Sequence, residues 1–287
     1  MPERPDLEYV IAILNRETAG SQIEAVAVRK PVVLRLTVAG KIEELLVGRR
    51  IEAVERRAHF FLFRLDGDPP LELAVNPMLA GRFVLAPASS KASADVAVAL
   101  KLSGGRVLRY RDDVQMGKFY VIEKGAWHKV PGLQKIGVDV LDEAAFPLSK
   151  LRELARQRRD QVKVFLMDKT AIDAFGNAYA DEVLWEARIH PKKMARSLSD
   201  EELGRLHAAI VGVLRHARDT IRDRRPPLDE KLRDFLNVRG RAGEPCPRCG
   251  AKLRRARVRA DDSIFCPRCQ EDSRRTSIVD WRKLKEP

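Results

Sequence analysis

The second and third residues of the chain, Pro2 and Glu3, combine a nucleophile with an acid. If Met1 is removed, Pro2 becomes the N-terminal residue and presents a free secondary amine. A terminal amine has a pKa of about 7.7–8.0, against about 10.4 for lysine, so a useful fraction is unprotonated at neutral pH. Such an amine adds to an aldehydic carbon to give an iminium, and the adjacent carboxyl group can transfer protons meanwhile. The pair predicts covalent amine catalysis, although an ordinary Met-Pro start has the same residues.

Four cysteines near the C-terminal end have the spacing of a metal site. They form two C-x2-C pairs separated by sixteen residues, namely Cys246, Cys249, Cys266 and Cys269. Two such pairs on tight turns are typical of a zinc ribbon, and no histidine lies between them. The sequence therefore predicts one structural zinc ion held by four thiolates. The basic segment between the pairs, 252–259, fits either a hairpin that grips a nucleic-acid backbone or a solvated charged strand.

Gly176 and Asn177 have the pattern of a turn that opens a helix. A helix N-terminus with asparagine at its first position presents free N–H groups and a side-chain amide, both of which bind phosphate. The alternative is an asparagine that only caps its own helix. Both interpretations stay open at the level of sequence.

Two short segments in the first half of the chain carry apolar residues beside a glycine. They are 76–81, with the sequence NPMLAG, and 112–117, with the sequence DDVQMG. Apolar residues in loops usually pack into the surface of their own domain. The functional alternative is a wedge that enters between stacked bases.

These residues must be positioned by a β-rich first half and a helical second half. Residues 6–18 have the spacing of an amphipathic helix, which would hold the N-terminus against a core. Short apolar runs between Gly, Pro and Asp turns predict a sandwich or barrel. The predicted strands are 32–36, 51–65, 71–75, 107–110 and 118–122. Helical spacing at 148–167 and 199–223 predicts a helical domain, with a boundary expected within 131–147.

Composition limits the class of protein and its partners. The chain has 287 residues and is 45% hydrophobic, enough for one large domain or two smaller ones. Lys and Arg number 54 against 41 Asp and Glu, and the net charge of +13 suits a polyanionic partner such as DNA or RNA. No segment approaches the roughly 20 apolar residues of a membrane span, and the start of the chain lacks a signal-peptide pattern. We expect a cytoplasmic, nucleoid-associated protein with no membrane partner.

Three motifs together resemble the formamidopyrimidine-DNA glycosylase and endonuclease VIII (Fpg/Nei) family. They are MPERPDLE at the start, GNAYADE at 176–182 and GRAGEPC at 240–246. The resemblance implies an α+β protein with an N-terminal β-sandwich domain flanked by helices, a helix-two-turn-helix domain and a C-terminal four-cysteine zinc ribbon. It implies that a damaged base is flipped out of the duplex, that Pro2 attacks C1′ while Glu3 protonates the ring oxygen, and that elimination nicks the strand. Asn177 matches the asparagine that holds a backbone phosphate.

The chain departs from the family at positions expected to contact DNA. A lysine of the family aligns with His59, so that contact is expected to be weaker and dependent on pH. The three wedge residues align with Leu79, Gln115 and Met116, so an uncharged side chain replaces the arginine that reads the orphaned base. The arginine of the zinc finger aligns with Asp261, a reversal of charge.

The loop that caps an oxidised purine in one branch of the family is shortened or absent here, because residue 235 is followed almost directly by the motif at 240. We therefore do not expect an 8-oxoguanine enzyme. The sequence predicts a DNA glycosylase with abasic-site lyase activity that acts as a monomer on double-stranded DNA containing damaged or abasic sites. Two alternatives stay open: a low-turnover binder of damaged DNA with the same fold, and a zinc-ribbon RNA-binding factor.

The predicted domain limits follow the three motifs. The catalytic β-sandwich is expected at 1–135, the helix-two-turn-helix domain at 148–238, the zinc ribbon at 239–272 and a tail without an assigned role at 273–287.

Overall fold

The computed structural model describes residues 2–173, 175–259 and 261–271. The chain forms two compact units that do not follow its linear order. The first contains described residues of 1–139, 172–176 and 214–232, and the second contains those of 140–171, 177–213 and 233–287. The predicted tail at 273–287 lies outside the described residues, and the predicted domain limits stay predictions.

Helix α1 opens the first unit and holds the N-terminal residues in place. It spans Arg4–Thr18, two residues longer at its start than predicted. Pro5 in its first turn needs no hydrogen-bonded N–H there, which explains the earlier start. Leu7 and Leu14 on one face are fully buried. The predicted amphipathic helix is therefore present and anchored in the core.

Two sheets form the rest of the first unit. The four-stranded sheet has the order β1-β7-β8-β6, and the five-stranded sheet has the order β2-β9-β5-β4-β3. The strands are β1 (Ile23–Val28), β2 (Leu34–Leu36), β3 (Ile51–Arg57), β4 (Phe60–Leu65), β5 (Leu71–Asn76), β6 (Arg82–Pro87), β7 (Val96–Leu102), β8 (Arg106–Arg111) and β9 (Lys118–Glu123). Side chains of α1 and both sheets, such as Phe63, Leu73 and Leu108, share one hydrophobic core. This arrangement is the expected β-sandwich.

Several elements differ from the prediction. The run 51–65 is a hairpin rather than one strand, because Ala58 has a φ of 51° and reverses the chain. Strands β1, β6 and β7 and the short helix α2 (Ile42–Leu46) were not predicted. Residues 31–33 and 127–129 form 3-10 turns. The structure thus has more strands than apolar runs alone indicated.

The second unit is built from helices and one hairpin. The predicted helix 148–167 is divided into α3 (Leu148–Arg156) and α4 (Val162–Met167), because the polar residues 157–161 continue no apolar face. Helix α5 spans Asn177–Glu186, and a 3-10 turn follows at Ala195–Ser197. Helix α6 spans Asp200–Arg224 and contributes 200–213 to this unit and 214–224 to the first. The hairpin pairs β10 (Arg254–Val258) with β11 (Asp261–Phe265) in antiparallel register.

Buried Glu182 of α5 connects that helix to the segment before the hairpin. Its carboxylate accepts hydrogen bonds at 2.8 Å from the backbone N–H groups of Asn237, Val238 and Arg239. Burial raises the pKa of Glu182, although these three donors oppose the shift. The contacts fix the position of Arg239 relative to the start of α5.

Over the described ranges, no helix has the length and apolarity needed to cross a bilayer.

Candidate active site and zinc centre

Pro2 and Glu3 lie directly before α1, and the start of the helix fixes their backbone. The N–H of Glu3 donates to the Asp6 carboxylate at 2.9 Å, and the N–H of Leu7 donates to the Glu3 carbonyl at 3.0 Å. Glu3 is only 4% exposed. The carboxyl group beside Pro2 is therefore held inside the first unit.

Gly176 forms one wall of the space that holds the Glu3 side chain. A Cβ atom at position 176 would lie 2.2 Å from Glu3 Oε1 and 2.8 Å from both Cδ and Cγ. No real Cβ contact is that short, so position 176 accommodates only glycine while Glu3 keeps this rotamer. The sequence motif at 176–182 thus contributes its first residue to the pocket of the predicted acid.

Pro2 lines a cavity of about 260 Å³ in the first unit. Val10 and Phe61 supply apolar surface, while Asp6 and Asp229 supply carboxylates. Arg111 pairs with Asp229 at 2.7 Å and fixes that side of the cavity. The volume falls slightly below the ~300–1,000 Å³ of most small-molecule sites, so the cavity suits one ring system rather than a whole nucleotide.

A chain of alternating charges supports the first turn of α1. Arg4 contacts Glu8 at 2.7 Å and Asp139 at 2.6 Å, and Asp139 also contacts Arg56 at 3.0 Å. Arg56 in turn binds the buried carboxylate of Asp173. Burial raises the pKa of Asp173, and the attraction of Arg56 opposes that shift only in part. This chain was not predicted from the sequence, because residues in direct contact, such as Arg4 and Asp139, lie 135 positions apart.

Both predicted wedge loops present apolar side chains to solvent. Leu79 is 58% exposed in the loop between β5 and β6, and Met116 is 39% exposed in the loop between β8 and β9. Val114 in the second loop is 52% exposed and was not singled out from the sequence. Gln115 adopts a φ of 57°, and its N–H donates to the buried Asp112 carboxylate at 2.9 Å. Exposed apolar groups on a fixed backbone suit insertion better than packing within the loop.

Tyr110 lies beneath both loops. A Cβ atom at Gly81 would be 2.2 Å from the Tyr110 hydroxyl oxygen, and one at Gly117 would be 1.8 Å from it. The tyrosine is fully buried, and burial raises its pKa far above the ordinary value. The hydroxyl thus occupies the space that a side chain at either glycine would need.

His59 lies in the turn between β3 and β4 and is 4% exposed. Its ring is 4.7 Å from that of Phe60, centroid to centroid, and faces Gly132. The imidazole is therefore not presented to solvent in this structure. The prediction that His59 contacts a phosphate stays a prediction, and it requires the ring to move outward.

Asn177, the predicted phosphate ligand, begins α5 in the second unit. Its side-chain amide donates to Asp262 Oδ1 at 3.3 Å, and Arg239 Nη2 lies 3.3 Å from the same oxygen. Asp261, the residue aligned with the zinc-finger arginine, is exposed on the hairpin. The contacts of Asp262 with Asn177 and Arg239 were not predicted from the sequence, because the three residues lie far apart along the chain.

The four cysteines come together as predicted. The sulfur atoms of Cys246, Cys249, Cys266 and Cys269 all lie within 4.8 Å of one another. A tetrahedral zinc site with Zn–S bonds of ~2.3 Å has S–S edges of ~3.8 Å, so the four donors fit this ion. The Trp185 indole N–H donates to Cys246 Sγ at 3.4 Å. Burial acts to raise the pKa of Cys246, but this bond and backbone N–H groups lower it to about 6. The protein holds one structural zinc ion in the second unit.

Three family models match the chain in order. The formamidopyrimidine-DNA glycosylase N-terminal domain matches residues 1–119, the H2TH domain of the same glycosylase matches 136–223, and the zinc finger found in FPG and IleRS matches 243–271. Together these matches contain the first two motifs and residues 243–246 of the third.

Curated relatives and solved structures agree with these matches. Formamidopyrimidine-DNA glycosylase from Pelotomaculum thermopropionicum is 32% identical, covering 94% of this chain and 99% of the relative, and that from Chloroflexus aurantiacus is 33% identical, covering 94% and 98%. The Lactococcus lactis Fpg in complex with DNA containing an abasic site has a TM-score of 0.85 at 27% identity, covering 94% of this chain and all of that one. Fpg (MutM) from Thermus thermophilus has a TM-score of 0.82 at 31% identity, covering 95% and 100%. The chain therefore belongs to the Fpg/Nei family of DNA glycosylases.

Proposed function

We propose that this protein excises damaged bases from double-stranded DNA in base excision repair and then cleaves the strand at the abasic site, with Pro2 as the nucleophile. The observation that carries the proposal is the placement of Pro2 on a cavity of base size, with the Glu3 carboxyl group fixed beside it. Family membership supports the same reaction. The substrates are oxidised pyrimidines, ring-opened purines or related lesions.

The reaction begins with a bond from the Pro2 nitrogen to C1′ of the sugar, while the bond from C1′ to the base nitrogen breaks and the base leaves with a proton. Glu3 donates a proton to the ring oxygen, so the sugar ring opens and an iminium joins Pro2 to C1′. Loss of a proton from C2′ expels the 3′ phosphate and cuts the strand. Hydrolysis of the iminium returns the free amine.

The remaining predicted residues bind the duplex. Leu79 and Met116 fill the base step that opens when the damaged nucleotide is flipped, since their apolar groups are exposed at the loop tips. Gln115 contacts the orphaned base with weak selectivity, because a neutral amide both donates and accepts. Asn177 binds a backbone phosphate, and His59 binds another once its ring has moved out of its buried position.

Borohydride trapping on an oligonucleotide with an abasic site tests the nucleophile. The wild type is expected to form a crosslink that maps to residue 2, and Pro2→Gly, which keeps only a primary amine, is expected to trap more slowly. Equal trapping by Pro2→Gly through an internal lysine would refute the assignment.

Glu3→Gln is expected to lose base excision while keeping part of the lyase activity, since an abasic site already presents its aldehyde. The absence of any crosslink or cleavage across a panel of lesions would instead favour a damaged-DNA binding protein. Monomeric state, cytoplasmic location and association with the nucleoid stay predictions.

A further inference from the structure

The carboxylate of Asp262 lies between two groups that ordinarily bind phosphate. Its Oδ1 atom accepts a hydrogen bond from Asn177 Nδ2 at 3.3 Å and lies 3.3 Å from Arg239 Nη2. Amide and guanidinium groups that converge on one anionic oxygen are the usual partners of a DNA phosphate. The hairpin thus places its own anion where an external one would bind.

Buried partners hold Arg239 in this position. Its Nη1 contacts Asp181 Oδ2 at 2.9 Å, and Asp181 also binds Lys163 Nζ at 2.6 Å and the Ser263 hydroxyl at 2.6 Å. Lys163 and Asp181 are almost completely buried. Because the charge of Asp181 is matched by Lys163, the guanidinium of Arg239 is left to balance Asp262. Removing the Asp262 carboxylate leaves this cluster with one positive charge, which a phosphate would neutralise.

Asp262 is bound weakly enough to be exchanged. Its side chain is 42% exposed, and its other oxygen, Oδ2, lies 3.9 Å from Arg255 Nε. Partial burial acts to raise the pKa of Asp262, but Arg239, Asn177 and Lys163 outweigh it and hold the pKa below the ordinary value. The carboxylate is therefore charged at neutral pH. A partly exposed ion pair contributes little to stability, so rotation of this side chain toward solvent costs little.

We propose that Asn177 and Arg239 together form a phosphate-binding site, and that Asp262 is an internal competitor that a DNA phosphate displaces. Arg239 supplies the positive charge that the hairpin lacks at Asp261. The inference rests on the proposed function in one respect only, namely that Asn177 faces DNA. It adds Arg239 as a second phosphate ligand. It also identifies the contact of Asp262 with Asn177 and Arg239 as one that weakens DNA binding by the free protein.

The test compares two neutralised carboxylates on the same strand. Asp262→Asn and Asp261→Asn remove the same charge from adjacent positions of β11, but only Asp262 contacts Asn177 and Arg239. Binding is measured by fluorescence anisotropy on a duplex with a tetrahydrofuran abasic-site analogue. We expect Asp262→Asn to tighten binding about fivefold, the factor of one partly exposed ion pair. We expect Asp261→Asn to tighten binding as well, because its charge opposes a nearby phosphate, but to do so equally in every background, since Asp261 lies outside the contact with Asn177 and Arg239.

A double-mutant cycle completes the test. In the Asn177→Ala and Arg239→Gln backgrounds the gain from Asp262→Asn is expected to disappear, because the competed site no longer exists. If Arg239→Gln loses zinc or unfolds, the Asn177→Ala background alone completes the cycle. A gain from Asp262→Asn that persists in these backgrounds, as the gain from Asp261→Asn is expected to do, would overturn the inference. Borohydride trapping on the same proteins reports the proposed function separately, so a wild type that traps normally with no Asp262 effect refutes only the competitor.

Discussion

Gly176→Ala is expected to suppress base excision without unfolding the protein. The added Cβ would lie 2.2 Å from Glu3 Oε1, whereas ordinary contacts begin at 3.4 Å. The carboxylate must therefore shift by about 1.2 Å, the difference between these distances. A misplacement of about 1 Å in a catalytic group costs about a hundredfold in rate. Overpacking of this kind costs roughly 1–3 kcal/mol of stability, which leaves most of a typical domain's stability in place.

The assay is single-turnover excision of a base lesion, run beside cleavage of a preformed abasic site on the same protein. Excision is expected to fall about a hundredfold, since in the proposed mechanism Glu3 protonates the ring oxygen. Cleavage of the abasic site is expected to fall less, because its aldehyde already exists. Gly204→Ala is the matched control: this glycine of α6 has no atom within 4 Å of an added Cβ, and alanine favours the helix. Wild-type excision by Gly176→Ala would show that the position of the Glu3 carboxylate does not limit the reaction.

Three further outcomes are expected. Leu79→Ala and Met116→Ala should impair excision from duplex far more than from single strands, where no stack is opened; equal losses on both substrates would identify core packing instead. Cys249→Ser or chelation should remove zinc, measured by metal analysis, and weaken DNA binding before the first unit melts; unchanged binding without zinc would contradict this. Because the pKa of Asp173 is raised in the folded state, its contribution to the free energy of unfolding should fall as pH rises from the unfolded value of about 3.9. Asp173→Asn should flatten that part of the Tm profile, which begins near the unfolded value of about 3.9, and an unchanged profile would argue against it.

Patterns among residues close together in the sequence predicted the features that depend on neighbouring residues in the chain. The cysteine spacing predicted the zinc centre, and the apolar face of 6–18 predicted α1. The strands β6 and β7 were missed because Arg82–Pro87 and Val96–Leu102 lie among Ala, Ser and Pro residues that weaken the alternating pattern. The hairpin at 58–59 was missed because a left-handed alanine leaves no glycine or proline signal.

Contacts between distant positions could not be predicted in the same way. The approach of Gly176 to Glu3 depends on where the segment 172–176 lies after folding, although the sequence motif marked both residues separately. The pairing of Asp262 with Arg239 depends on the register of the hairpin and on the carboxylate of Glu182 that fixes the backbone of Arg239. Such contacts are set by tertiary packing, which propensity and spacing do not encode.

The Tyr110 hydroxyl beneath Gly81 and Gly117 limits how this surface can vary. Any side chain added at either glycine pushes against the same oxygen atom and so disturbs both loops at once. The outward-facing positions 79, 114 and 116 have no such constraint, because their side chains extend into solvent. In the proposed wedge, substitutions at the tips can therefore change which base steps the loops enter while the spacing between the loops stays constant. The two loops therefore keep one fixed spacing, while the exposed side chains at their tips are free to vary.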